Sequence, residues 1–311
     1  MRYRFIEVFY SVFNHGSVTK AARELNVTQP SVSKILSQSE SDLEIKLFER
    51  INKKMVPTPE AKILFPYAEK IHNNIENLRR VSSNLISKPE GDLNIAATHA
   101  LGIDYLPEAI SQFSQLNSGI TFETVTLHYE EIQKQLLELK VDIGIVYDHT
   151  PHRDIASNII SSGEFVVIAP KSFFPGKNDI HITEILSHPF IKITDKIGPR
   201  GPLGSKLDSY LSKYAKDLNI TFNTETFQVA LALVSKNMGL TITDRISAES
   251  STRSNIKILN LKPELKFTLE VIYLKSNPLS LINKKFINFL ESFNYFDTCL
   301  LYTSDAADDT P

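Results

Sequence analysis

Within one short stretch, Thr28-Gln29-Pro30-Ser31-Val32-Ser33-Lys34, an amide, three hydroxyls and an ammonium fall inside two helical turns. That mixture suits the reading of base-pair edges. Glutamine can pair bidentately with adenine, hydroxyls serve bases or phosphates, and a lysine reaches guanine or phosphate. Downstream, Arg50, Lys53 and Lys54 could neutralise phosphates, a sequence-independent contribution that weakens with salt. Ser17 is counted with Thr28, Gln29, Pro30, Ser31, Ser33 and Lys34 among the candidate DNA contacts.

Catalytic chemistry finds no such grouping. Gly201-Pro202-Leu203-Gly204-Ser205-Lys206 lacks the order and spacing of a phosphate loop. No G-x-S-x-G elbow and no H-E-x-x-H pair occurs. Asp148-His149 with His152 and Asp154 could imitate a metal cluster, but Pro151 interrupts any helix there and favours a surface loop. No catalytic residue, metal or cofactor is expected.

Helices must position the base-reading groups. Phe5, Val8, Phe9, Val12 and Phe13 form one apolar helix face, ended by Asn14-His15-Gly16 with Gly16 suited to a left-handed cap. Ser17 stands as N-cap of a second helix through Leu25, and Thr28 as N-cap of a third with Pro30 in its first turn. Two short helices and a tight turn make a helix-turn-helix, whose second helix presents its first residues to the major groove. Leu47 to Thr58 reads as a β-hairpin wing carrying the cations. Ala61, Leu64, Ala68, Ile71, Ile75, Leu78, Ser82 and Leu85 alternate three and four apart, a heptad seam for pairing with another helix. Thr58 is its expected cap, Pro66 an expected kink or delay, and Ser87-Lys88-Pro89-Glu90-Gly91 a hinge.

Residues 2–65 resemble the winged helix-turn-helix of LysR-type transcriptional regulators. The resemblance rests on Ala21-Ala22, the Thr28–Lys34 run, Glu40, Leu43, Leu47-Phe48-Glu49-Arg50 and Val56-Pro57-Thr58. Ser39 stands where the family usually has an apolar residue and Glu44 where it usually has glycine. Pro59-Glu60-Ala61 replaces a small-residue-plus-glycine step. Ser37 and Gln38 replace frequent arginines, which implies weaker non-specific binding or more reliance on the wing. The resemblance also implies that the long helix makes an antiparallel dimer placing two DNA-reading heads.

From Asp92 strands and helices alternate. Leu93–Ala97, Ile120–Val125, Val141–Val146 and Phe165–Pro170 read as strands, with helices at Tyr105–Phe113 and Tyr129–Leu139. Such alternation predicts a parallel sheet covered on both faces. A helix is expected at Lys206–Tyr214, and a closing one at Ile282–Phe293 after the strand Phe267–Leu274. The order is similar to the LysR-type effector domain, a two-lobed, periplasmic-binding-protein-like α/β fold. Expected boundaries are 1–58 for the DNA-binding domain, 59–90 for linker helix and hinge, and 91–298 for the effector domain. Lobe one would take 91–162 and 267–296, and lobe two 163–266.

Ligands in open α/β sheets bind beyond the carboxyl ends of strands. Between two lobes that rule selects Thr98-His99-Ala100, Tyr147-Asp148, and the loop holding Arg200 and Gly201, with Thr226 and Thr243 as lesser candidates. The helix start after Thr98 and the Arg200 guanidinium lean toward an anion. By the resemblance, a small-molecule effector, often a carboxylate, shifts a conformational balance there.

Charge agrees with this division. Residues 1–88 hold 14 Lys and Arg against 9 Asp and Glu, leaving 20 against 27 in the remainder of the chain of 311. No stretch reaches the roughly 18 apolar residues of a membrane span, no secretory signal opens the chain, and Cys299 is the lone cysteine. A cytoplasmic homodimer or homotetramer on double-stranded promoter DNA is the resulting expectation. Residues 299–311 resemble a translated sequencing adapter and are expected to be a non-native tail. The rival reading is a small-molecule-binding protein whose helical head makes protein contacts.

Overall fold

Helix α1 (Tyr3–His15) follows from its apolar stripe: Phe5, Val8, Phe9 and Val12 are buried. Gly16, at φ +59°, ends it and donates its N–H to the Val12 carbonyl. The hydroxyl of Ser17 accepts from the Lys20 N–H to open α2 (Val18–Glu24), whose buried Ala21 and Ala22 allow close packing. Next comes α3 (Gln29–Leu43), burying Val32, Leu36 and Glu40. Strands β1 (Phe48–Ile51) and β2 (Lys54–Pro57) pair antiparallel from Phe48 with Pro57 to Ile51 with Lys54. The long helix α4 (Pro59–Leu85) is capped by Thr58, whose Oγ1 accepts from Ala61 N–H and donates to the Lys46 carbonyl. The structure, a computed structural model, describes residues 3–51, 54–85, 91–194, 201–250, 255–293 and 295, in two compact units, 1–86 and 87–311.

Within the first unit α4 lies along α1. Phe65 stacks on Phe13 at 3.8 Å between ring centres and His72 on Tyr10 at 4.1 Å, while Arg79 reaches Glu7. The expected heptad seam therefore divides. Ala61, Leu64 and Ala68 pack into the unit's own core, and the helix continues through Pro66. Ile71 and Leu78 of that seam stay in solvent, exposed by 41% and 64%, in company with Ile63 and Tyr67 at 68% and 69%.

The second unit begins with β3 (Gly91–Thr98), α5 (Tyr105–Leu116), β4 (Ile120–Leu127), α6 (Tyr129–Leu137) and β5 (Ile143–Tyr147). The sixteen-residue β6 (Ile155–Pro170) leads to β7 (Asp179–His181), α7 (Ile182–Ile185), β8 (Phe190–Ile193) and α8 (Gly201–Ser212). Then follow β9 (Ile220–Thr224), α9 (Phe227–Ser235), β10 (Thr241–Asp244) and α10 (Arg245–Glu249). The chain returns through β11 (Ile256–Lys262), β12 (Lys266–Leu274) and α11 (Leu281–Ser292).

The sheet runs β4-β3-β5-β12-β6-β11-β7, with β10 also on β6. It is mixed rather than parallel, which corrects the expectation from strand–helix alternation. Strands β3, β4 and β5 are parallel, but β12 runs antiparallel to β5 and β6, and β10 and β11 run antiparallel to β6. The reason is the crossing between lobes. Residues Ile155–Glu164 of β6 pair with β12, and Phe165–Pro170 pair with β10 and β11, so one strand serves both lobes. Phe165 and Phe267, side by side at the two crossings, meet edge to face at 5.6 Å. In lobe two β8 pairs in parallel with β9 and bridges to Leu240 beside β10. Gly239 permits that approach: a Cβ there would stand 2.5 Å from the Pro189 carbonyl oxygen, at φ +155°. Helix α8 starts at Gly201, earlier than the expected Lys206, so Gly201–Gly204 form its first turn.

Candidate functional site

On α3, Val32 and Leu36 point inward while Thr28, Gln29, Pro30, Ser31 and Lys34 are exposed and Ser33 is half-buried. Thr28 occupies the cap position, yet its hydroxyl bonds the Ser31 hydroxyl at 2.8 Å instead of a backbone N–H. Gln29 donates from Nε2 to Ser33 Oγ at 2.8 Å, which orients its amide along the exposed face. Ser17 is half-buried and serves α2 as cap. Arg50 and Lys54 are exposed on the hairpin, and neither they nor Lys34 pair with a described carboxylate; Lys53 lies outside the described residues. Buried Glu40 anchors the hairpin to α3, accepting from Leu47 N–H at 2.7 Å and Phe48 N–H at 3.2 Å. A carboxylate with two such charge-assisted bonds fixes the wing's root.

In the second unit a cleft of about 630 Å³ opens between the lobes. Thr98, His99, Ala100 and Tyr147 line it from lobe one, and Gly201, Thr226 and Thr243 from lobe two. All but Tyr147, which ends β5 ahead of β6, sit where a strand hands over to a helix. The Thr98 hydroxyl is buried without a partner among the described residues, and the His99 and His128 rings lie 5.0 Å apart. Thr226 caps α9, accepting from Val229 N–H. Across the cleft floor the Tyr147 hydroxyl donates to Asp244 Oδ1 at 3.0 Å. Burial first, and then the Asp244 charge, push the Tyr147 phenol well above its ordinary range, so it stays protonated as the donor.

Asp148, also expected at the effector site, is not among the residues that line the cleft. It adopts φ +45° and turns its carboxylate to the Thr268 N–H, the Thr268 hydroxyl and Lys206 Nζ. Arg200 lies outside the described residues. Sequence reasoning missed His128, Asp244 and Ser247, which also line the cleft. His128 follows β4 as His99 follows β3, so the strand-end rule could have found it. Asp244 and Ser247 belong to a four-residue strand and a five-residue helix, too short to give a periodic signal. His149 and His152 make local bonds, to the Tyr129 hydroxyl and the Asp154 N–H. Among the described residues no group of three metal-ligating side chains occurs, and no helix is long and apolar enough to cross a membrane.

A winged helix-turn-helix with an open polar face, joined in one chain to a two-lobed domain with a cleft, defines a ligand-responsive DNA-binding regulator. Residues 3–62 match the bacterial regulatory helix-turn-helix protein model of the lysR family, and residues 87–294 the LysR substrate binding domain. The chain belongs to the LysR family of transcriptional regulators. It is 33% identical to the transcriptional regulator DgcR of Pseudoalteromonas sp over 94% of this chain and 99% of that protein. It is 29% identical to AdmX of Serratia plymuthica, covering 93% and 91% of the two chains. Full-length CbnR complexed with its target DNA has the same fold, with a TM-score of 0.69 at 18% identity over 94% of this chain and 99% of that one.

Proposed function

We propose that this regulator reads promoter DNA with the exposed start of α3. Gln29, Ser31, Ser33 and Lys34 address base edges, Thr28 and Pro30 set the approach, and Arg50, Lys53 and Lys54 hold phosphates. The observation that carries this reading is the polar face of α3: within its own unit, nothing described covers Gln29, Ser31 or Lys34. The exposed row Ile63, Tyr67, Ile71 and Leu78 on α4 supports pairing with a second copy, as homodimer or homotetramer. Two modest DNA-reading heads then engage together, and linkage multiplies their affinities. The chain carries no catalytic role and acts in the cytoplasm.

Between the lobes, Thr98, His99, Ala100, Tyr147, Gly201, Thr226 and Thr243 surround a small-molecule effector, with Arg200 beside Gly201 in sequence. Its binding shifts the balance between DNA-bound arrangements. Retardation of random duplex DNA at low salt tests the first half. A protein using its head for protein contacts would leave the duplex unshifted.

A further inference from the structure

The charges lining the cleft are unevenly placed. Glu225 follows the carboxyl end of β9 and Asp244 ends β10. Both strands run parallel to the intervening β8, so the two carboxylates share one edge of the lobe-two sheet. Neighbouring strands stand about 4.8 Å apart, so the two residues sit two such steps from one another, and both line the cleft. Ile193, at the end of β8, lines the cleft between them.

Asp244 is buried, and its Oδ1 is committed to Tyr147 and to the Ser247 N–H. Its Oδ2 receives a 3.3 Å contact from the Thr243 hydroxyl and keeps room for a further donor. No Lys or Arg side chain occurs among the described lining residues. A buried carboxylate without a cation is costly, and a ligand can supply the missing charge.

The opposite wall differs. Around Thr98 it offers a buried unpartnered hydroxyl and the paired imidazoles of His99 and His128. Glu130, also on that wall, stands in the first turn of α6, where it offsets the helix dipole. Helix α8 has no acid in its first turn, and Gly201, Leu203 and Gly204 of that turn line the cleft. Apolar Phe165, Phe227, Leu203 and Leu207 fill the sides.

We propose that the effector is a small zwitterion of amino-acid type. Its ammonium meets Asp244 and Glu225, and its carboxylate meets the Thr98–Ala100 turn and the start of α8. This rests on the cleft being the effector site and names the chemistry it takes.

The test is thermal unfolding of the full chain with the proteinogenic amino acids in both enantiomers, each at millimolar concentration. N-acetylated forms, which keep the carboxylate and lose the cation, run beside them. A subset of the zwitterions raises the melting temperature, and their N-acetyl forms do not. Glu225→Gln, at an exposed position, weakens the stabilising amino acid roughly tenfold by calorimetry, as expected for losing one charged partner. Asp244→Asn abolishes binding, but it also disturbs the α10 cap, so Glu225→Gln is the deciding variant. Equal stabilisation by N-acetyl forms, an unchanged affinity in Glu225→Gln, or no shift with any amino acid overturns the zwitterion. Stabilisation by N-acetyl forms that Thr98→Val removes would still leave the cleft as the effector site.

Discussion

Asp148 and Lys206 meet at 2.7 Å, joining the end of β5 in lobe one to α8 in lobe two. The pair is half in solvent at its lysine end, so the salt bridge itself is worth about 0.5–1 kcal/mol. Asp148 also accepts from the Thr268 N–H and hydroxyl, at 2.9 and 3.2 Å. Lys206→Met is therefore expected to lower stability by less than about 1 kcal/mol. Asp148→Ala, which strands the Thr268 N–H, costs about 2–3 kcal/mol in urea unfolding. Equal losses in the two variants would mean that the bonds to Thr268 contribute nothing.

Glu40 gives a second prediction. Its carboxylate holds the Leu47 and Phe48 N–H groups, which have no strand partner of their own at the hairpin's root. Glu40→Ala should destabilise the first unit by about 2–3 kcal/mol, and Glu40→Gln by less, because the amide oxygen can still accept. Equilibrium unfolding followed by circular dichroism measures both; identical losses would count against the acceptor role.

Glu44 closes α3 in a left-handed conformation, φ 58° and ψ 25°. A Cβ makes that region unfavourable by about 1–2 kcal/mol, and glycine removes most of the penalty. Glu44→Gly is expected to raise the midpoint of urea unfolding, and a lowered midpoint would refute the strain.

His149 links stability to pH. Burial holds its imidazole below the ordinary histidine value of 6.5, outweighing attraction to Glu270. Above pH 6.5 both folded and unfolded chains carry it neutral, so its contribution is complete. As pH falls through 6.5 towards the folded value, the unfolded chain takes the proton first and stability drops. His149→Gln should flatten that part of the pH–stability curve; an unaltered slope would assign the drop to other groups.

Much of this was legible from residue spacing. The α1 stripe, the Ser17 cap, the Ala21-Ala22 contact and the Thr58 cap are local features, and local rules found them. The strand-end rule likewise pointed to Thr98, Tyr147 and Thr226, all of which line the cleft. What escaped was non-local. Strand direction in β12 depends on where the chain recrosses between lobes, which alternation does not encode. The face of α4 left open depends on how α1 takes Ala61, Leu64 and Ala68, a competition between two partners for one seam. Asp148 follows the same strand end as Tyr147, but its left-handed backbone turns the carboxylate toward Thr268, which spacing does not encode.

The most direct measurement of the central claim is the salt dependence of duplex binding by the full chain. Affinity for random duplex should fall steeply as salt rises, linearly on logarithmic axes. Arg50→Ala and Lys54→Ala should each reduce the slope by about one while weakening all sequences alike. Gln29→Ala should keep the slope and relax preference at one base pair. Failure to bind duplex DNA in dilute buffer, or a slope that survives loss of both Arg50 and Lys54, would contradict a DNA-reading α3 flanked by a phosphate-holding wing.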